Sequence, residues 1–446
     1  MYTSTHYIKT PLQLMLLLLT ILSVTYSKTP RHRAPIITKD GTVIAISDNP
    51  KRMRVFPEER SFTPILGYVR SDQKGRKGLE CYVNKYLGNG YEMHLTIDSA
   101  LQRKIETLLD EAKEKYEADE IIAAVMRSRS GEILAMASSN RYDPNHITMK
   151  DVSALNPKFA EYPYEPGSVI KPLTLAIALD HKLLTPDTFF KTYNGTLKVG
   201  GNRSVVDNEK FPALSAIDII VHSSNVGISQ ISWLLTGEEF REGLLRFGLS
   251  SPSGIDLSRD LPGKIKPVEL LNNRMHRANT AYGYGLHATF TQLLKAYSAF
   301  NNGGTAVVPH MIDYFTDDKG HRYLLPPAAK NQKAISEETA EQIHKILIEV
   351  VTRGTGRNAH VPGIEIGGKT GTAHIASLKR NPGAFHGSFY GFANDDEGHR
   401  YTIGVLVIKA KKENTHFASQ SAVPVFREIM VEMVKEGLLQ RSGDAQ

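Results

Sequence analysis

In the stretch "EPGSVIKP" (165–172), Ser168 and Lys171 are spaced so that a helix places both side chains on one face, a turn apart. A serine hydroxyl is a poor nucleophile until a base takes its proton, and lysine can be that base only while neutral. Burial and a second nearby cation both favour the neutral amine. Pro172 fits a first helical turn, whose N–H groups have no intrahelical partner. Those N–H groups also suit a developing oxyanion. The plainer alternative is an N-capping serine beside a surface lysine, and Ser71 and Lys74 repeat the spacing in a polar loop.

Two further pairings give the first one meaning. "IIVHSSNVGISQISWLL" puts Ser223 and Asn225 in a polar break between apolar helical stretches. The same S-x-N spacing occurs at Ser47/Asn49 and Ser138/Asn140, so alone it says little. Lys369-Thr370-Gly371 occurs once. With Gly363 and Gly368 it also satisfies a phosphate-loop pattern, but Ile364, Glu365 and Ile366 suggest an extended strand, and the acid would repel phosphate. Gly371 and Thr372 oppose a following helix. The segment is therefore not expected to curl around a nucleotide phosphate, and what Lys369 meets is left to the rest of the chain. What separates the triple from its decoys is order: S-x-x-K at a helix start, S-x-N between helices, K-T-G on a strand.

The elements that must position these residues follow from periodicity. After a short strand, Asp98 or Ser99 is a plausible cap for a helix whose apolar stripe runs through Leu101, Ile105, Leu108, Leu109 and Ala112. "IIAAVMRSRSGEILAMAS" reads as a hairpin turning at Ser130-Gly131. Helices are expected over 166–184 and in "FTQLLKAYSAFNNGG", stopped by Gly303-Gly304. "GIEIGGKT", "GSFYGFA" and "YTIGVLVIKA" read as successive strands before a helix containing Phe426, Met430 and Met433. Strands on both sides of a helical block imply an α+β domain with an antiparallel sheet flanked by helices.

At 446 residues, with 41% hydrophobic and 23% charged, the chain can bury one large core and a smaller module. Its net charge of +7 is spread without a long basic run, which fits a solvated surface and not a nucleic-acid groove. Cys81 is the single cysteine, so no internal disulfide forms; it is expected to be a small buried residue. No C-x-x-C or H-E-x-x-H pattern is present, and neither metal nor cofactor is expected. The apolar run "PLQLMLLLLTILSVTYS" lacks a small-residue cleavage site, which favours an uncleaved anchor over a signal peptide. The expected divisions are a cytoplasmic N-terminus (1–11), a membrane anchor (12–27), a short β-rich pedestal (28–93) with strand-like pieces at 42–46 and 65–69, a catalytic domain (94–437) and a polar tail (438–446).

With these blocks the sequence resembles the penicillin-binding proteins, specifically the class B D,D-transpeptidases of peptidoglycan synthesis. "GLECYVNKYLGNG" (78–90), "HLTIDSALQ" (94–102), "SGEILAMASSNRYDPN" (130–145), "EPGSVIKP" (165–172) and "RGTGRNAHVPGIEIGGKTGTA" (353–373) carry the resemblance. "AYGYGLHATFTQLLKAYSAFNNGG" (281–304) is closer to division-type members. Two features depart from the pattern: the pedestal is short, and "RAPIITKDG" has Ala34, Thr38 and Lys39 at its variable points. The resemblance implies the penicillin-binding/serine β-lactamase-like fold, with Ser168 as acylated nucleophile and Lys171 as its base. It implies that Ser223 relays a proton to the leaving amine and that Asn225 positions Lys171 and the substrate amide. Lys369, Thr370 and Thr372 would receive the carboxylate of a D-Ala-D-Ala stem peptide, with Gly371 between them. The N–H groups of Ser168 and Thr372 would form the oxyanion hole. The implied ligands and partners are the stem peptide, β-lactams, the inner membrane, a polytopic glycan polymerase and divisome proteins, with the catalytic domain periplasmic. Rival readings are a D,D-carboxypeptidase, a β-lactamase (Ser224 stands where class A enzymes carry Asp) and a catalytically silent β-lactam sensor or division scaffold.

Overall fold

Glu120–Arg127 is apolar at nearly every position because both of its faces are covered. It forms strand β1, with Ile121, Ala123 and Val125 in one core and Ile122, Ala124 and Met126 in another. This computed structural model describes residues 32–47, 53–374 and 385–443. β1 turns through Gly131 into β2 (Ile133–Ser138), and β3 (Glu365–His374), β4 (Phe385–Asn394) and β5 (Arg400–Ile408) complete a five-stranded sheet. Its order is β3-β4-β5-β1-β2 and every pairing is antiparallel. β3, which carries Lys369, is an edge strand.

Five helices matter to the site: α1 (Ser99–Tyr116), α2 (Lys171–Asp180), α3 (Asn225–Ser232), α4 (Phe290–Ser298) and α5 (Ala422–Lys435). Asp98 caps α1 by accepting from the Leu101 N–H at 3.0 Å. The stripe Leu101, Ile105 and Leu109 packs with Phe426, Ile429, Met430 and Met433 of α5 on one sheet face. The other face meets α4 through Phe290, Leu293 and Leu294, and beyond it α2. α2 is buried on all sides as far as Leu179, as expected of a helix apolar all round.

The N-terminal region is built less simply than its sequence suggests. Six short strands form its sheet, in the order Arg322–Tyr323, Ile312–Thr316, Glu92–Leu95, Ile36–Ile37, Val43–Ser47 and Arg54–Val55. Two of them come from far down the chain. The core is also shared, since Ile36, Ile44, Phe62 and Leu79 belong to the same cluster as Leu173 and Ile177. The strand-like piece expected at 65–69 is instead a helix, Thr63–Leu66, with Pro64 in its first turn. Proline's fixed φ and missing N–H suit that position and not a central strand. Cys81 is half-buried rather than buried. In the divergent "ITKDG" block, Asp40 accepts from both the N–H (3.0 Å) and Oγ (2.7 Å) of Ser99, tying this turn to the start of α1.

A buried ion cluster includes Arg54 of this sheet. Glu80 accepts from Arg33 Nε at 2.5 Å and from Arg54 Nε at 2.6 Å, and all three residues are buried. The anchor expected at 12–27 lies outside the described residues, among which no helix is long and apolar enough to cross a membrane.

Candidate active site

Ser168 sits in a 3-10 turn, Gly167–Ile170, that runs directly into α2. The Gly167 N–H donates to Gly283 O at 3.1 Å, and Tyr297 of α4 donates its Oη to Val169 O at 2.7 Å. These bonds fix the turn from outside. β3 closes from the other side, so tightly that a Cβ at Gly371 would lie 2.8 Å from Pro166 O and 2.6 Å from Ser388 Oγ. Glycine is required there because strand and turn touch through backbone.

Lys171 begins α2 and is fully buried. Its Nζ donates to Ser223 Oγ at 3.0 Å and to the Ser223 carbonyl. Lys369 is equally buried and donates to the same Ser223 Oγ at 3.0 Å. It also donates to Thr370 O at 3.1 Å and Thr370 Oγ1 at 3.2 Å. Ser223 reaches both amines from a left-handed backbone, φ 58°, an uncommon conformation for a side-chain-bearing residue and one recurrent at functional sites. Two ammonium groups about one hydroxyl disfavour each other's charge. Burial pushes Lys171 down to about 7, against the pull of the Asp207 carboxylate. Burial, and then the charge of Lys171, holds Lys369 well below the usual lysine range.

Ser168 is half-buried, and among the described residues its Oγ has no hydrogen-bond partner. Its N–H belongs to the first turn, without an intrahelical acceptor. Thr370 also pairs with Thr355 Oγ1 at 2.8 Å, and Thr372 Oγ1 accepts from the Ala418 N–H at 3.2 Å. Both hydroxyls are thus oriented by neighbours. Asn225 is placed differently from expectation. Its Nδ2 donates to Val206 O at 2.9 Å, so the carboxamide braces a neighbouring hairpin and makes no bond to Lys171. The strand expected around Lys369 is present, and the glycines of the phosphate-loop pattern lie in or just before it, so no loop curls around a phosphate.

Sequence reasoning missed Asp207. Its carboxylate accepts from Ser224 Oγ (2.6 Å), the Asn225 N–H (2.5 Å) and the Val226 N–H (2.9 Å). It therefore caps α3 and holds the turn in which Ser223 is strained. Nothing in "VVDNEK" marks this residue, because its partners lie 17 to 19 residues on and the link has no periodicity. Tyr297 and Thr355 were missed for the same reason.

A left-handed serine shared by two buried lysines, set between the helix start that carries Ser168 and a sheet edge, brings together the three motifs on which the resemblance to the penicillin-binding class rests. The chain belongs to that family: the profile of the penicillin binding protein transpeptidase domain matches residues 121–431. It is 31% identical over 419 residues to stage V sporulation protein D of Bacillus subtilis, an alignment covering 86% of this chain and 64% of that protein. Against penicillin-binding protein PbpB of Mycobacterium tuberculosis it is 29% identical, covering 76% of this chain and 51% of the relative. The chain thus spans about half to two-thirds of the length of these relatives. Among solved structures, penicillin binding protein 3 from Mycobacterium tuberculosis in its apo form superposes with a TM-score of 0.84 at 26% identity, covering 92% of this chain and 97% of that one. The same protein complexed with aztreonam gives a TM-score of 0.82.

Proposed function

We propose that this protein is a serine-type D,D-transpeptidase that cross-links peptidoglycan stem peptides in septal wall synthesis. The observation that carries the reading is Ser223 Oγ, held 3.0 Å from each of two buried lysines. Neutral Lys171 accepts the proton of Ser168 Oγ as it attacks the penultimate D-Ala carbonyl. The Ser168 and Thr372 N–H groups stabilise the oxyanion. Ser223 relays the proton to the departing D-Ala amine, leaving an ester on Ser168. An amine from a neighbouring strand then attacks the ester, loses its proton back through the same groups and frees Ser168 as the new amide forms. Lys369 and the Thr370 and Thr372 hydroxyls receive the substrate's terminal carboxylate. Its arrival favours the charged form of Lys369, and that cation keeps Lys171 neutral. β3, paired on one side only, suits an extended peptide docking as an added strand. The relative complexed with aztreonam supports β-lactams as substrate mimics here. In this reading the catalytic domain is periplasmic, tethered by a single-pass inner-membrane anchor, and works with a glycan polymerase and divisome proteins.

Mass spectrometry after benzylpenicillin treatment is the test. A stable adduct on Ser168, absent from Ser168→Ala, is expected; an adduct elsewhere, or none, overturns the assignment. Release of D-Ala with transfer to an amine acceptor then separates a transpeptidase from a silent sensor.

A further inference from the structure

A groove of about 410 Å³ opens at the far end of α3 from Ser223. Phe190, Tyr193, Leu197, Gln230, Trp233 and Arg274 contribute to its walls. Tyr193 is 51% exposed although its backbone is costly to hold: Tyr193, Asn194 and Gly195 are all left-handed, with φ of 51°, 51° and 83°. Two adjacent residues with side chains in that region are rare, and such outliers cluster where a side chain must be aimed. The loop is pinned beneath by buried Thr192, whose Oγ1 donates to Phe211 O at 2.6 Å, and by the Tyr193 N–H bonded to Pro212 O. The aromatic ring is thus carried on a rigid base.

Trp233 and Arg274 are equally fixed. Trp233 donates Nε1 to Arg274 O at 2.9 Å while the Arg274 guanidinium lies 4.3 Å from the indole centroid. Gln230 spends its amide hydrogens on Lys191 O and Val226 O, leaving its oxygen to accept. Flat amphipathic rings beside a lone acceptor match the apolar faces and hydroxyl donors of a saccharide. Lys198 and Arg274 add positive charge, complementary to a polymer whose side peptides end in carboxylates. The groove is also placed for such a polymer. Gln230 and Trp233 lie five and eight residues beyond Asn225, about 8 and 12 Å along α3, and a five-residue stem peptide extends to about 17 Å. The hairpin Thr196–Gly200/Arg203–Val206, which carries Leu197, ends at the Val206 carbonyl held by Asn225.

We infer that this groove is a saccharide subsite that holds the glycan strand while its stem peptide occupies the catalytic turn. The inference rests on the transpeptidase reading, and the experiment keeps the two apart. Trp233 is the chain's single tryptophan, so its emission reports on this groove alone. The full chain is titrated with glycan strands stripped of their peptides, and benzylpenicillin acylation of Ser168 is measured in parallel. Saturable change in Trp233 emission is expected, weakened about fivefold by Tyr193→Ala and preserved by Tyr193→Phe. Acylation should be equal in all three proteins, which also shows that the variants fold. Unchanged emission, equal affinity in Tyr193→Ala, or a response only to free stem pentapeptide overturns the subsite. Competition by a protein partner and not by glycan would do the same. Absence of acylation in the wild-type chain would instead count against the catalytic reading, whatever the groove binds.

Discussion

Around Glu80, two guanidiniums close on one carboxylate, and each charge in that buried cluster has an opposite at 2.5–2.6 Å. Around Ser223, two equally buried amines share a neutral hydroxyl, and among the described residues neither has a carboxylate at ion-pair distance. The first cluster ties Arg33, Arg54 and the short helix bearing Glu80 into one core. The second opposes folding, since burial without compensation favours losing the proton. In the transpeptidase reading that penalty is also an asset, because a lysine that gives up its proton near neutrality can take another. Removing a charge from each site should therefore shift stability in opposite directions.

Lys171→Met sharpens this contrast most. Acylation should fall by about 10²–10⁴-fold, the usual weight of a positioned base, while the fold should gain a few kcal/mol at pH 7. The sign follows from linkage. The folded-state pKa of Lys171 is depressed from 10.5 to about 7, so the unfolded chain binds the extra proton between those values. Wild-type stability is penalised fully below about 7 and not at all above about 10.5. Denaturant melts at pH 7 and about pH 10 should show the variant's advantage shrinking as pH rises. An unchanged or lowered stability at pH 7 would break the comparison.

Glu80→Gln should act the other way. It leaves two guanidiniums facing each other in the core, a loss of about 3–5 kcal/mol. Urea unfolding measures it, and benzylpenicillin acylation per folded molecule should not change. A smaller effect tests the electrostatics of the lysine pair directly. The acylation rate should rise with pH and level off above about 7, as Lys171 becomes neutral. Asp207→Asn removes the carboxylate that holds Lys171 up, so the midpoint should move to lower pH by less than about one unit. Were Asp207 purely structural, the plateau would fall and the midpoint would stay.

Much of this was legible in the sequence, for physical reasons. The apolar run of β1, the stripe of α1 and the order of the three motifs each depend on neighbours within a few residues. Period and spacing record such contacts. The serine–lysine relations could be read as types, and the structure brings Ser223, Lys171 and Lys369 together. Asn225 shows the limit, since its carboxamide turns to Val206, a partner chosen by a hairpin that periodicity does not place. Glu80, Asp207 and Tyr297 were invisible because their partners lie 47, 17 and 128 residues away. The segment 65–69 was misread because Ile65 and Leu66 suit a strand as well as a helix, and Pro64 decided between them.

The two strands borrowed by the N-terminal sheet have a consequence for assembly in time. A chain that emerges from its N-terminus delivers Glu92–Leu95 about 220 residues before its partner Ile312–Thr316. Until that partner arrives, one side of the strand is an open hydrogen-bonding edge, and the nascent protein carries a template for wrong pairing through about half of its own delivery. Such long-range closure is slow and exposed to aggregation. Cutting the chain near residue 93 would not release a self-sufficient catalytic domain but would orphan the strands at 312–323. The N-terminal sheet and the body that carries Ser168 mature as one object, and that sheet is finished late.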